Sequence, residues 1–361
     1  MTTTHTRFDR LPVVDVSALA SDDPAARRAV AAELGRAARD CGFLYVTGHG
    51  ISRDLRERLL AQAKAFFALP EAEKMKSYIG LSGLSHRGYV PEGEEGFGEG
   101  SKDRKEGFDL SFELAPDDPL VVAGTPMCGA NRWPALPGFA EDVGAYYAAA
   151  MALGLRLARA LAVSLDLAEE TFARYVTKPL SQLRLLHYPF DADAPADRPG
   201  IGAHTDYEIF TILMPTAPGL EVMNGAGEWI DAPPVADAFV VNIGDMLEVW
   251  TNGTFVATSH RVRKVGEERY SFPLFFGCDY HTLVEPLPPF VGEGRPAKYA
   301  PIKAGDHLWA QTAQSFAYLK VRLAAGEFAL PEGSLAPFSF GPGAKSAEAE
   351  PAEFKPAPAD G

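Results

Sequence analysis

The chain reads as an α+β protein, an N-terminal α/β region followed by an antiparallel β barrel or sandwich with helices around it. Three observations predict this. Residues 11–70 alternate strand, helix, strand and helix. The apolar period then changes from 3.6 to 2 near residue 180. Beyond that point short candidate strands follow at close spacing, divided by Gly, Asn and Pro turns.

Residues 11–16 form the first expected strand. Asp23-Pro24 opens a helix, with Asp as cap and Pro at the first helical position, where its missing N–H costs nothing. Val30, Leu34, Ala37 and Cys41 recur at helical spacing until Gly42. Phe43-Leu44-Tyr45-Val46 is a buried strand closed by Gly48-His49-Gly50. Ser52 caps a second helix whose apolar side carries Leu55, Leu59, Ala63, Phe66 and Phe67. Residues 80–107, rich in Gly, Glu and Ser, read as one long irregular loop, a length at which loops are functional or disordered. A long helix is expected over 139–167. Strands follow at 182–188, 209–214, 220–223, 239–243, 260–265 and 271–277, with turn signals such as Asn224-Gly225 and Asn252-Gly253 between them. Residues 304–323 return to helix, and 331–361, largely Gly, Pro, Ala, Glu and Ser, read as a disordered tail.

The chain carries 48 Asp and Glu against 34 Lys and Arg, which argues against a nucleic-acid backbone as partner, since that contact needs a cationic surplus. An apolar content of 47% supports a large buried core. No apolar run is expected to reach the ~20 residues of a membrane span, and residues 1–11 lack a signal-peptide core. Cys41, Cys128 and Cys278 are odd in number and far apart, so thiols in a reducing cytoplasm are expected rather than a disulfide framework. The expectation is a cytoplasmic enzyme acting on a small molecule, with no nucleic acid, no membrane and no obligatory protein partner.

His204-Thr205-Asp206 sets an imidazole and a carboxylate two residues apart, and on an extended backbone both point to the same face. His260, on a later strand of the same region, can supply a third ligand. Two His and one carboxylate on one face of an octahedron suit Fe(II) and leave the opposite face open. The His-x-Asp pair alone carries little weight, because a strand-end His bonded to a nearby Asp has the same signature. Its context adds more. Arg269 and Ser271 share a later strand face, and a guanidinium fork plus a hydroxyl is a receptor for a carboxylate. Arg184, Leu186 and Tyr188 share a face of the strand before the metal pair, so the Tyr188 hydroxyl can join that receptor. Read singly, Arg269 has Glu267 and Glu268 as alternative surface partners.

These motifs, in this order, resemble the isopenicillin N synthase-like family of Fe(II)/2-oxoglutarate-dependent dioxygenases. The resemblance also rests on Leu183-Arg184-Leu185-Leu186-His187-Tyr188-Pro189, Pro218-Gly219-Leu220-Glu221-Val222, Gly227-Glu228-Trp229, Asn242-Ile243-Gly244-Asp245 and Trp250-Thr251-Asn252-Gly253. Cys41-Gly42-Phe43-Leu44-Tyr45-Val46-Thr47-Gly48-His49-Gly50 is similar to the family's N-terminal region, and the likeness runs over residues 11–325.

The resemblance implies a double-stranded β-helix, or jelly-roll, core flanked by helices. Its boundaries fall at 11–125 for the non-haem dioxygenase N-terminal region, 126–180 for a helical connection and 181–325 for the jelly roll with its C-terminal helix. It implies His204, Asp206 and His260 as Fe(II) ligands, and Arg269, Ser271 and Tyr188 as the grip on the distal carboxylate of 2-oxoglutarate. O2 is then the second cosubstrate. The implied reaction oxidises an unactivated C–H of a small-molecule metabolite, in secondary metabolism, by hydroxylation, desaturation or ring closure, releasing succinate and CO2. One departure is Leu186, where many plant members carry Asn near the metal. Arg184 is expected to meet an acidic substrate group, and Tyr89, Phe210 and Phe275 to form an apolar pocket wall. Two other readings stay open: an isopenicillin N synthase-type oxidase that works without 2-oxoglutarate, and a β-barrel binding protein that has lost catalysis. Succinate release separates the first and Fe(II) binding the second.

Overall fold

A computed structural model describes residues 6–96, 105–190, 200–263 and 266–334. The N-terminal region alternates as its periodicity predicts, through β1 (Val13–Asp15), α1 (Pro24–Asp40), β2 (Phe43–Thr47) and α2 (Arg53–Phe67). The caps stand where the sequence puts them. Asp23 accepts from the Ala25 N–H at 2.8 Å, and Ser52 from the Leu55 N–H at 3.2 Å. Short α3 (Glu71–Lys74) then leads to β3 (Gly88–Val90) and β4 (Glu106–Ser111). The expectation of one irregular loop over 80–107 is therefore corrected, because Gly88–Val90 finds ladder partners on β4. Residues 97–104 lie outside the described residues, as do 335–361 of the expected tail.

Helices α4 (Pro119–Val122), α5 (Phe139–Val163) and α6 (Glu170–Ala173) connect to the β-rich half. There β5 (Gln182–Tyr188), β6 (Ile201–His204), β7 (Phe210–Pro215), β8 (Leu220–Met223), β9 (Trp229–Asp231) and β10 (Phe239–Ile243) precede α7 (Asp245–Trp250), β11 (His260–Val262) and β12 (Arg269–Phe276). A small pair, β13 (Leu283–Val284) and β14 (Ile302–Lys303), is followed by α8 (Ala304–Ser315) and α9 (Ala317–Ala324).

Two sheets build the jelly roll. The larger runs β1-β2-β10-β7-β12-β5-β4-β3 and is antiparallel apart from the β1–β2 pair. The smaller runs β6-β11-β8-β9 and is antiparallel throughout. One large apolar cluster joins α1, α2 and α5 to the larger sheet. A second, built on Phe43, Tyr45, Leu213, Leu220, Val222 and Val240, ties the larger sheet to the smaller. The functional cavity opens beside that second cluster.

Helix α5 corrects the expectation that no apolar run is long enough to span a bilayer. By length and composition alone it qualifies. Its position explains the composition. Val143, Tyr146, Ala150, Leu153, Leu157 and Leu161 are buried, and the helix packs on α1, α2 and β12, which leaves little room for charge.

The expected single helix over 304–323 breaks at Phe316, whose backbone is extended. Segment 94–96 enters the break. Gly96 donates its N–H to the Ser315 carbonyl at 3.0 Å, and Ala317 donates to the Glu94 carbonyl at 2.8 Å. Hydrogen bonds that the helix would have made to itself are thus made to a segment more than two hundred residues earlier, which fixes Glu95 against the cavity.

Close packing of α5 on β12 yields a test. A Cβ at Gly154 would lie 2.4 Å from Phe276 Cδ2, and Phe276 is itself fully buried and stacked on Phe210 at 4.7 Å. Gly154→Val should destabilise the protein by about 1–3 kcal/mol despite its better helix propensity. The check is a lower urea midpoint at unchanged m-value.

Candidate metal centre and cavity

His204 ends β6 and His260 opens β11, and the ladder between those strands sets the two residues opposite each other. Asp206 lies just beyond β6 in the connection to β7. One ligand atom from each of the three lies within 4.8 Å of the others. The Nε2 atoms of His204 and His260 stand 3.7 and 3.6 Å from Asp206 Oδ1.

Each imidazole is oriented through its other nitrogen. Nδ1 of His204 bonds the Gly202 carbonyl at 2.8 Å, and Nδ1 of His260 bonds the Thr258 carbonyl at 3.2 Å. A carbonyl only accepts, so both rings carry a proton on Nδ1 and turn Nε2 toward the shared point. Burial, with His204 alongside, pushes His260 down to about 4, so its ring is neutral and able to ligate.

Asp206 is 4% exposed and divides its two oxygens. Oδ2 accepts from Thr211 Oγ1 at 2.5 Å and from Asn242 Nδ2 at 2.7 Å, while Oδ1 faces the imidazoles. Burial works to raise this carboxyl. The imidazoles of His260 and His204 and the two hydrogen bonds outweigh it and hold the group below its ordinary value. Thr211 and Asn242 are direct partners in the β7–β10 ladder, so a single register supplies both bonds. The chain crosses tightly here. A Cβ at Gly244 would lie 2.2 Å from the Glu208 carbonyl oxygen, so only glycine fits. Two imidazoles that turn Nε2 to one point and one held carboxylate, on one side of a cavity, form a donor set that fits Fe(II).

The facing strands contribute alternate residues. Gln182, Arg184, Leu186 and Tyr188 of β5 line the cavity, as do Arg269, Ser271, Pro273 and Phe275 of β12. Arg269 stands opposite Tyr188 in the ladder, with its guanidinium 4.8 Å from the centre of the Tyr188 ring. It is 1% exposed; Nε donates to the Ala217 carbonyl at 3.3 Å, and Nη1 has no partner. Burial lowers its pKa, opposed only by Tyr188, and no carboxylate among the described residues pairs with it. Such a group calls for an anion.

Arg184 has a different fate. Its Nη1 and Nη2 meet the two oxygens of Glu95 at 3.1 and 2.9 Å, and its Nε meets Asp109 Oδ1 at 2.9 Å. Lys105 also reaches Glu95, at 3.2 Å. Burial works to lower the Arg184 pKa, but Asp109 and Glu95 outweigh it and keep the group charged. Burial, with Glu95 nearby, raises Asp109 to about 6 against the pull of Arg184. The chain itself thus supplies the acidic partners expected from a substrate.

Phe275 lines the cavity as expected. Tyr89 and Phe210 do not, and both expectations are corrected. Phe210 precedes Thr211, so strand alternation turns it to the other face, where it stacks on Phe276. Tyr89 is 3% exposed on β3, packs against Phe66 and donates its hydroxyl to Glu106 Oε2 at 2.7 Å. Thr211, Asn242, Glu95, Lys105, Asp109 and Glu208, to which sequence pattern gives no role, all line or support the cavity. Asn242 carried a readable sign, an amide inside the otherwise apolar run Phe-Val-Val-Asn-Ile.

Comparison with known proteins agrees with this geometry. Residues 11–136 match the family described as non-haem dioxygenase in morphine synthesis N-terminal, and residues 179–277 match the 2OG-Fe(II) oxygenase superfamily. The chain is 36% identical, over 76% of its length and 83% of the relative's, to a probable iron/ascorbate oxidoreductase of Dictyostelium discoideum. It is 34% identical to a 2-oxoglutarate-Fe(II) type oxidoreductase of Emericella nidulans, over 84% of this chain and 90% of that one. Among solved structures, a full-length Neurospora crassa protein in complex with alpha-KG superposes with a TM-score of 0.74 at 27% identity, covering 87% of this chain and 99% of that one. The same Neurospora protein has also been solved with alpha-KG and thymine. Matches that span the N-terminal region and the jelly roll alike place the chain in the 2OG-Fe(II) oxygenase superfamily, as an oxidoreductase that uses Fe(II) and 2-oxoglutarate.

Proposed function

We propose that the chain oxidises an unactivated C–H bond of a small-molecule metabolite, by hydroxylation, desaturation or ring closure, in secondary metabolism. In this reading His204, Asp206 and His260 hold Fe(II), and Arg269, Ser271 and Tyr188 hold the distal carboxylate of 2-oxoglutarate. One observation carries it: the His–Asp–His set shares one cavity with a buried guanidinium that has a free N–H and, among the described residues, no carboxylate partner. When bound, Fe(II), 2-oxoglutarate and O2 supply the oxidising power, yielding succinate and CO2.

The chain's own residues do the positioning. The Gly202 and Thr258 carbonyls hold each imidazole in its ligating orientation, and Thr211 with Asn242 turns one Asp206 oxygen inward. Arg269 compensates a charge that would otherwise be costly to bury. Leu186, Leu213, Leu220, Val262 and Phe275 keep water from the remaining space. The reading includes a cytoplasmic location, supported by three buried cysteines that stand as free thiols. It includes no membrane and no obligatory protein partner.

Three measurements test it. His204→Ala, Asp206→Ala and His260→Ala should each abolish Fe(II)-dependent succinate release while the protein still melts cooperatively, because the cluster between the sheets does not include these side chains. Normal turnover by any one variant, after removal of contaminating metal, removes that residue from the set. Arg269→Ala should raise the 2-oxoglutarate requirement at least ~100-fold, about 2.7 kcal/mol, and Arg269→Lys should restore only part of it. Normal 2-oxoglutarate use by the Ala variant with loss of substrate binding would instead support the oxidase reading. Asn242→Leu leaves Asp206 Oδ2 with Thr211 alone and should weaken Fe(II) affinity about 10–100-fold, read by equilibrium dialysis.

A further inference from the structure

Charges around the cavity divide into matched and unmatched groups. Arg184 and Lys105 are taken up by Glu95 and Asp109, and Asp206 lies against two imidazoles. Two groups are left over among the described residues. One is Arg269, which in the proposed function meets the cosubstrate's carboxylate. The other is Glu208.

Glu208 lines the cavity, is 8% exposed, and among the described residues makes no hydrogen bond or ion pair to another side chain. Its main chain is pinned from behind, where the Met246 N–H donates to its carbonyl and Gly244 presses against it. The side chain therefore cannot retreat without moving the segment that carries Asp206. It shares the cavity wall with Asp206 and Arg184. A carboxyl in such a place is less favourable than an apolar side chain unless a donor from outside the chain meets it.

We propose that Glu208 is a specificity-determining residue, and that the substrate is a small molecule presenting an N–H donor to it. Charged and uncharged forms of a carboxyl both accept from N–H, so the proposal does not depend on which form is present. Ammonium, guanidinium, amide and lactam N–H groups only donate, and they gain most from a fixed acceptor. A hydroxyl can serve as donor or acceptor and gains less from this one. The cavity would then be read from two ends, with Arg269 selecting the cosubstrate by an anion and Glu208 selecting the substrate by a donor. The inference rests on the reading of the cavity as an Fe(II)/2-oxoglutarate site, since it places substrate in the space the cosubstrate leaves.

Matched pairs of probes test it on the Fe(II)-loaded enzyme saturated with 2-oxoglutarate, titrated without oxygen in a calorimeter. Butylammonium is set against 1-butanol, and δ-valerolactam against δ-valerolactone. In each pair the N–H member should bind at least about tenfold tighter, the factor one well-placed hydrogen bond supplies. Glu208→Met should erase both preferences. Glu208→Gln, which keeps an acceptor oxygen but no charge, should keep the lactam preference and reduce the ammonium one. Thermal melts confirm that each variant is folded. Equal or weaker binding of the N–H members, no binding of either, or a preference that survives in Glu208→Met overturns the proposal. Absence of Fe(II)-dependent 2-oxoglutarate binding in the wild type would instead overturn the underlying reading, and that titration is run first.

Discussion

A carboxylate removed from water must be hydrogen-bonded or neutralised, and Asp206 meets that demand with one oxygen so that the other stays available. Both donors come from a single rung of the β7–β10 ladder. Slipping that register by one residue would turn one of the two donors to the opposite face and leave the carboxylate half held. The metal centre is therefore coupled to the alignment of the larger sheet, although its His ligands come from the smaller one. Gly244 belongs to the same constraint, because the chain passes too close to residues 206–208 for any side chain there.

Two arginines in one cavity show how neighbours decide the use of a residue. Arg184 sits on β5 beside β4, where Asp109 is its direct ladder partner, and the entry of segment 94–96 into the α8–α9 break brings Glu95 to its other side. Arg269 sits on β12 opposite Tyr188, with an aromatic ring and a carbonyl for company and an unpartnered Nη1. The first is a structural tie between distant segments. The second is a receptor.

Much of this was legible from local pattern. Strand alternation alone put Arg184, Leu186 and Tyr188 on one face and Arg269, Ser271 and Phe275 on another, and both faces line the cavity. The helix caps Asp23 and Ser52 were equally plain, because capping is a matter of adjacent residues. What local pattern could not show was pairing across the chain. Glu95 meets Arg184 only because a helix far downstream is broken at Phe316, and no spacing in the sequence announces that. Phe210 and Tyr89 were misplaced for a simpler reason: an aromatic near a site looks the same on either face of its strand until the neighbouring register is known. Helix α5 concealed its apolar length because its charges are sparse rather than absent.

The order of the larger sheet has a consequence for how the protein can be divided. Its central strands β10, β7, β12 and β5 come from the later part of the chain, whereas β1 and β2 close one side and β4 and β3 the other. The early segment thus lends strands to both margins. Excised alone, the later part would present two rows of unsatisfied backbone N–H and C=O groups, the kind of open margin through which copies of a protein stack into aggregates. Both margins must be covered at once by one continuous early segment, which makes that segment a built-in guard of solubility as well as a wall of the cavity.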